Sequence, residues 1–158
     1  MSVNQKTLPY RPCAGIMLLN NEGKVFVARR IDTDVEAWQM PQGGIDDGEE
    51  PQAAAIRELE EETGVTQAVI IAEYESWLTY DLPDELYGKV WKGRYGGQTM
   101  KWYVMRFEGQ DSDINIQTEN PEFSIWRWAE MSELENIIVP FKREIYKTLA
   151  ETFSHLAE

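Results

Sequence analysis

Glu58, Glu61 and Glu62 fall within one turn of chain. On a helix of 3.6 residues per turn Glu61 lies about 60° to one side of Glu58 and Glu62 about 40° to the other, so the three carboxylates share one face. Glutamate is a good helix former, and a short acidic run ordinarily means a solvated surface. Two features weigh against that reading. Like charges one turn apart repel, and Glu60-Glu61-Glu62 sits just before Gly64, where the helix macrodipole favours cations instead. A bound divalent cation would resolve both conflicts. Hard oxygen ligands without a His or Cys cluster select Mg²⁺ or Mn²⁺ over zinc, and the one histidine, His155, lies far along the chain.

The elements that must carry these residues follow from local signals. Pro51 suits a first helical turn, Ala53-Ala54-Ala55 favours helix and Gly64 supplies a stop, which predicts a helix over Pro51–Thr63. Ile56 and Leu59 are expected to anchor it on the side away from the carboxylates, leaving the acidic face free. Ahead of it, Pro41, Gly43-Gly44 and Asp46-Asp47-Gly48 predict an irregular loop. Residues 13–19 and 24–30 read as a hairpin turning at Asn20-Asn21-Glu22-Gly23. Further strands are expected at 68–72, 73–80, 99–107 and 125–128, with a long loop over 83–97. Ser132 and Glu135 suggest a capping box, and Phe141, Ile145, Leu149 and Phe153 recur every fourth residue in a terminal amphipathic helix. The pattern is α/β, a mixed sheet between helices.

At 158 residues and 42% hydrophobic content, one domain spanning 1–158 with one active site is expected. No run approaches eighteen apolar residues, and the first residues lack the charged-then-apolar pattern of a signal peptide, so no membrane partner is expected. Cys13, set among Ala14, Ile16 and Met17, reads as a buried reduced thiol rather than a nucleophile. Together these predict a soluble, cytoplasmic protein. The net charge of −13 repels polyanions at long range. It argues against nonspecific nucleic-acid binding and requires that a phosphate-rich ligand be met by a local basic pocket or by metal ions. Oligomeric state is left open; a monomer is compatible with every motif.

Gly43 is followed after five residues by Glu49, after seven more by Arg57-Glu58-Leu59, and then by Glu61-Glu62, Gly64 and Val65. This is the complete signature of the Nudix hydrolases, and the chain is identified as a member through residues 43–65. The resemblance implies the αβα Nudix sandwich, a mixed β-sheet between helices. It also implies a loop-helix-loop site dependent on Mg²⁺ (or Mn²⁺) and hydrolysis of phosphoric anhydride bonds in a nucleoside diphosphate linked to another moiety. Carried onto this chain, Glu58, Glu61 and Glu62 are metal ligands, Arg57 with Glu49 holds the loop against the helix, and the backbone carbonyl near Gln42 or Gly43 adds a ligand.

Outside the signature, the chain resembles bacterial RNA 5′-pyrophosphohydrolases and asymmetric diadenosine tetraphosphate hydrolases over nearly its whole length. The matching segments include Tyr10-Arg11-Pro12, Ala28-Arg29-Arg30, Trp38-Gln39-Met40-Pro41-Gln42-Gly43-Gly44-Ile45, Trp77-Leu78-Thr79-Tyr80, Lys101-Trp102, Pro121-Glu122-Phe123 and Val139-Pro140-Phe141-Lys142. That resemblance implies Glu122 as a fourth acidic ligand or an alternative base. Whether Glu58 or Glu122 is the base stays open. Arg11, Arg30, Lys101 and Lys142 become candidate phosphate contacts, weighed against surface or salt-bridge roles. Tyr80 and Phe141 become candidate base-stacking rings, weighed against core positions, and Gln42 joins the substrate-binding set.

Two substrates fit: a triphosphorylated RNA 5′ end, releasing pyrophosphate, and diadenosine tetraphosphate, giving ATP and AMP. The stretch 96–100 is less basic than in many RNA-directed relatives, and no basic tail follows the last helix, which argues against extended RNA contacts. The competing readings are a catalytically silent sensor of nucleotides or RNA ends and a purely structural acidic domain. Magnesium-dependent phosphate release separates the enzyme from both.

Overall fold

The computed structural model describes residues 8–157. Its elements are β1 (Tyr10–Leu19), β2 (Val25–Arg30), β3 (Gln42–Gly44), α1 (Pro51–Thr63), β4 (Ala68–Glu73), β5 (Leu78–Asp81), β6 (Gly97–Phe107), β7 (Phe123–Ala129), α2 (Leu134–Ile137) and α3 (Arg143–Thr152). Along β1, Cys13, Met17 and Leu19 enter the core on one side, and Ala14, Ile16 and Leu18 enter the core on the other. A strand apolar on both faces belongs in the middle of a sheet. There β1 runs parallel to β6, from Tyr10 opposite Gly97 to Leu19 opposite Arg106. The sheet order is β4-β6-β1-β2-β7, with β3 added to β1 and β5 to β6, and all other pairings are antiparallel.

Helices cover the two faces. Ala54, Ala55 and Leu59 of α1 pack on Phe26, Tyr103 and Met105, while Leu134 of α2 and Ile145, Tyr146 and Leu149 of α3 pack on the opposite face around Trp102. Gly15 is small because a Cβ there would meet the Trp102 ring. Tyr146, fully buried, accepts the Met40 N–H at 2.8 Å, tying the terminal helix to the chain entering β3.

The structure departs from the sequence-based expectations in five places. Ile56 is 51% exposed. The buried stripe of α1 runs through Ala55, Leu59 and Glu62, so Ile56 lies off its edge and one of the three carboxylates is not free but packed. Gln42 to Gly44 forms a short strand rather than an irregular loop, because β2 meets β1 only near Leu19 and leaves the edge beside Cys13 to Gly15 open. The strand expected over 73–80 breaks: β4 and β5 pair with β6 in tandem, and the chain between them leaves the sheet. Lys101 sits at that break, donating to the Tyr74 carbonyl and pairing with Glu73 at 3.1 Å. Finally, the cap ahead of α2 is formed by Glu130 and Glu133 rather than Ser132 and Glu135, since a 3₁₀ turn at Met131–Glu133 opens the segment; the Glu133 carboxylate accepts the Glu130 N–H at 2.8 Å.

Candidate active site

Helix α1 ends where Gly64 takes φ 73° and returns its N–H to the Glu60 carbonyl at 2.8 Å. This left-handed cap suits glycine and stops the helix just beyond Glu62. Against the helix lies β3, so close at Gly43 that any Cβ there would collide with the Glu58 carboxylate. Arg57 fastens the loop between them. Its Nε and Nη2 grip Glu49 at 2.8 and 2.9 Å, Nη2 also reaches the Gly44 carbonyl at 2.9 Å, and Nη1 donates to Glu58 at 2.9 Å and to Glu61 at 3.2 Å. The forked guanidinium beside it, helped by the Asp46 N–H, holds the Glu49 carboxyl down at about 2. Arg57 is in turn raised well above an ordinary arginine, chiefly by that bond to Glu49.

Glu62 is 3% exposed, yet the hydrogen bond it accepts from the Gln42 N–H is long at 3.3 Å. Burial first, then the facing carboxyl of Glu122 and the charge of Glu58, raise Glu62 well above the usual carboxylate range. Glu58 is also raised, mainly by burial and against the opposing pull of Arg57. Glu122 arrives at the entrance to β7, where its carbonyl accepts the Ile31 N–H at 2.8 Å and the β2–β7 register slips between Arg29 and Arg30. Among the described residues no lysine or arginine forms an ion pair with Glu62, and no three acidic groups converge at ligand spacing, Arg57 lying on Glu58 and Glu61. The donor set fits a divalent cation all the same: every side-chain donor is a hard oxygen, and among the described residues the buried acid Glu62 has no ion pair, Lys142 and Arg30 acting on it only at longer range.

These carboxylates form one side of a cleft of about 1270 Å³. The same cleft is lined by Arg11, Arg30, Gln42, Tyr80, Phe141 and Lys142. Arg30 is already committed to a bidentate pair with Asp32 at 2.8 and 2.6 Å. Lys142, 9% exposed, reaches among the described residues only the Gln42 side-chain oxygen, at 3.4 Å, and lies 5.5 Å over the Tyr80 ring. Burial, and secondarily Arg30 and Arg11, push its ammonium down to about 8. Tyr80 is buried with its hydroxyl donating to Gln98 at 2.6 Å, whereas Phe141, 5.4 Å away, is half-buried. Cys13 receives Arg11 at 3.3 Å and Gln98 at 3.0 Å, and burial pushes its thiol up to about 11, so it stays protonated.

Lys101 is not among the cleft residues; its ammonium is spent on Tyr74 and Glu73. Gln98 and Trp91 are cleft residues that the sequence reading passed over. Gln98 is legible only in hindsight as a polar residue between strand residues. Trp91 lay inside the long loop, and an isolated indole in a loop was the available signal.

The comparisons agree with this geometry. The NUDIX domain model matches residues 9–149. An RNA pyrophosphohydrolase of Roseobacter denitrificans is 59% identical, covering 94% of this chain and 95% of its own length. One of Sphingopyxis alaskensis is 55% identical, covering 98% and 99%. In fold, the chain is similar to the E. coli dihydroneopterin triphosphate pyrophosphohydrolase, with TM-score 0.69, 18% identity and coverage of 91% and 99%. It is likewise similar to a C. elegans Ap4A hydrolase, with TM-score 0.64, 18% identity and coverage of 90% and 98%. With the Arg57–Glu49 clasp, the Gly43 approach to Glu58 and a domain match spanning the whole αβα core, the chain belongs to the Nudix family.

Proposed function

We propose that the protein hydrolyses phosphoric anhydride bonds of nucleoside polyphosphates with Mg²⁺, its principal substrate being a triphosphorylated RNA 5′ end that leaves as monophosphorylated RNA and pyrophosphate. The observation that carries this reading is the make-up of one cleft: buried Glu62, with the half-buried Glu58 and Glu122 that repel it, shares the lining with Arg11, Lys142 and Phe141. Such a cleft suits a ligand with an anionic chain at one end and a ring at the other. The relatives named RNA pyrophosphohydrolase support the choice of substrate; diadenosine tetraphosphate is the second candidate, by the same chemistry.

Bound divalent metal supplies charge neutralisation at phosphorus and a more acidic water. The protein's own part is separable. Glu58, Glu61 and Glu62 supply carboxylate ligands, and Arg57 keeps their helix and the Gly43–Gly44 backbone in one register. Arg11 and Lys142 receive phosphate oxygens, and Phe141 offers a ring face to the first bases. Glu122 is the better placed general base, since Arg57 holds a Glu58 oxygen while Glu122, brought to Glu62 by a separate element, is not held by Arg57 among the described residues.

The test is pyrophosphate release from a 5′-triphosphorylated oligoribonucleotide in Mg²⁺, beside ATP and AMP formation from diadenosine tetraphosphate. Glu62→Gln should lower kcat by at least about 100-fold while the fold persists. Substrate binding with no release by the wild-type protein would favour the silent sensor. Because metal would relieve the repulsion around Glu62, Mg²⁺ should also raise the wild-type thermal midpoint, and raise it less in Glu62→Gln. Equal shifts in both proteins would place the metal elsewhere.

A further inference from the structure

Between β5 and β6 the chain passes over the cleft through three left-handed residues in succession, Trp91, Lys92 and Gly93, with φ of 52°, 59° and 72°. Glycine enters this region freely, but two adjacent residues with side chains are strained there. Such outliers persist where surrounding contacts over-determine them, and they cluster at binding sites. Here the Gly93 N–H bonds the Val90 carbonyl at 2.9 Å, the Arg94 N–H bonds the Trp91 carbonyl at 3.2 Å, and Tyr95 packs edge-on against the Trp91 ring at 6.2 Å. The outcome is an indole presented to the cleft.

The Arg11 guanidinium lies 5.6 Å from the centre of that indole. Nη1 donates to the Cys13 sulfur, a neutral acceptor, and Nη2 is so close to β3 that a Cβ on Gly44 would meet it at 2.7 Å. Among the described residues no carboxylate pairs with Arg11, whereas Arg30 is held by Asp32 and Arg57 by Glu49. Arg11 is therefore fixed without being neutralised. A ring face and a thiol restrict the side chain but leave its charge for a ligand, and they leave it beside the Gly43–Gly44 backbone that adjoins Glu58.

We propose that Trp91 is a positioning residue for Arg11: its indole, carried on the left-handed turn, aims the guanidinium at the terminal phosphate of the bound polyphosphate. The proposal rests on the polyphosphatase reading above. It assigns Trp91 to the phosphate end of the substrate, not to a base.

The test uses tripolyphosphate, which has phosphates and no base, as the probe. Its dissociation constant in Mg²⁺, read by calorimetry, should rise about tenfold in Trp91→Leu and change by less than about threefold in Trp91→Phe. Trp91→Met, which fills the space without a ring face, should behave like Trp91→Leu and replaces it if the leucine variant does not fold. On an Arg11→Ala background the loss of the ring should cost less than about twofold more, because its effect passes through the guanidinium. In turnover of triphosphorylated RNA the same variants should raise KM with little change in kcat. Unchanged tripolyphosphate binding in Trp91→Leu or Trp91→Met, or losses that multiply fully in the double variant, would overturn the proposal. If instead the wild-type protein binds tripolyphosphate in the expected pattern but releases no pyrophosphate from RNA, the reading of the reaction is at fault and the Trp91–Arg11 pairing stands.

Discussion

Lys142 is a buried ammonium with one long polar contact among the described residues, so its cost to the folded state can be assigned a sign and a size. Its folded value of about 8 lies below the ordinary 10.5. Below pH 8 both folded and unfolded chains carry the proton, and the penalty of burying the charge is present in full. Between 8 and 10.5 the unfolded chain binds more protons than the folded one, so stability rises with pH across that window. The penalty at neutral pH is on the order of 3 kcal/mol. Lys142→Met should therefore raise the metal-free thermal midpoint at pH 7. The gain should shrink from pH 8 to 10.5 and vanish above it, while the proposed phosphate contact of Lys142 predicts a fall in kcat/KM. Equal midpoints at pH 7 would mean that the ammonium is better compensated than its surroundings suggest. Four cations stood out in the sequence as candidate phosphate contacts, and the structure gives them four different situations: Arg11 unneutralised, Arg30 paired, Lys101 diverted to the sheet break, Lys142 buried. Nothing local distinguishes them, because each fate depends on partners brought by folding, such as the Tyr74 carbonyl for Lys101.

Helix α1 was legible to the residue because its signals are local: Pro51 at the start, three alanines, Gly64 at the stop. Its orientation was not. Which carboxylate turns inward depends on the angle at which the helix meets the sheet, and Ala54 and Ala55 permit an approach that buries Glu62 instead of Ile56. Likewise the glycine pair read as a loop becomes β3 only because a long-range edge of β1 is open to it. The element that fixes the site is the loop tied by Arg57, whose planar fork serves Glu49, Gly44 and two further glutamates at once. A lysine offers one point charge in place of that geometry. Arg57→Lys should lower kcat by at least about tenfold, with a modest loss of thermal midpoint. The pH dependence has a definite sign: the Glu49 carboxyl, held at about 2, contributes stability that is fully present above pH 4.5 and is lost as pH falls from there towards 2. The difference in midpoint between wild type and variant should close over that same interval, and a difference that persists in acid would assign the stabilisation to another contact.

At the scale of the whole molecule the charge of −13 and the cleft act against each other. The residues lining the cleft include three cations, Arg11, Arg30 and Lys142, and seven carboxylates, Asp32, Glu58, Glu60, Glu61, Glu62, Glu119 and Glu122. On the proposed reading a polyanion is repelled by the body of the protein and received only at its end, where metal and the few cations would meet the terminal phosphates. Lengthening an RNA beyond the first few nucleotides should then add repulsion and little attraction. Measured at fixed ionic strength on unstructured triphosphorylated RNAs of increasing length, kcat/KM should therefore reach a plateau within a few nucleotides. The salt dependence should be shallow as well. With three cations in reach of phosphates, the log–log slope against salt cannot exceed about −2 for a single strand, and screening of the long-range repulsion will flatten it further. A gain in kcat/KM that continues with length, together with a steeper slope, would require a basic surface outside the cleft and would replace the end-reading picture with one of an RNA-tracking enzyme.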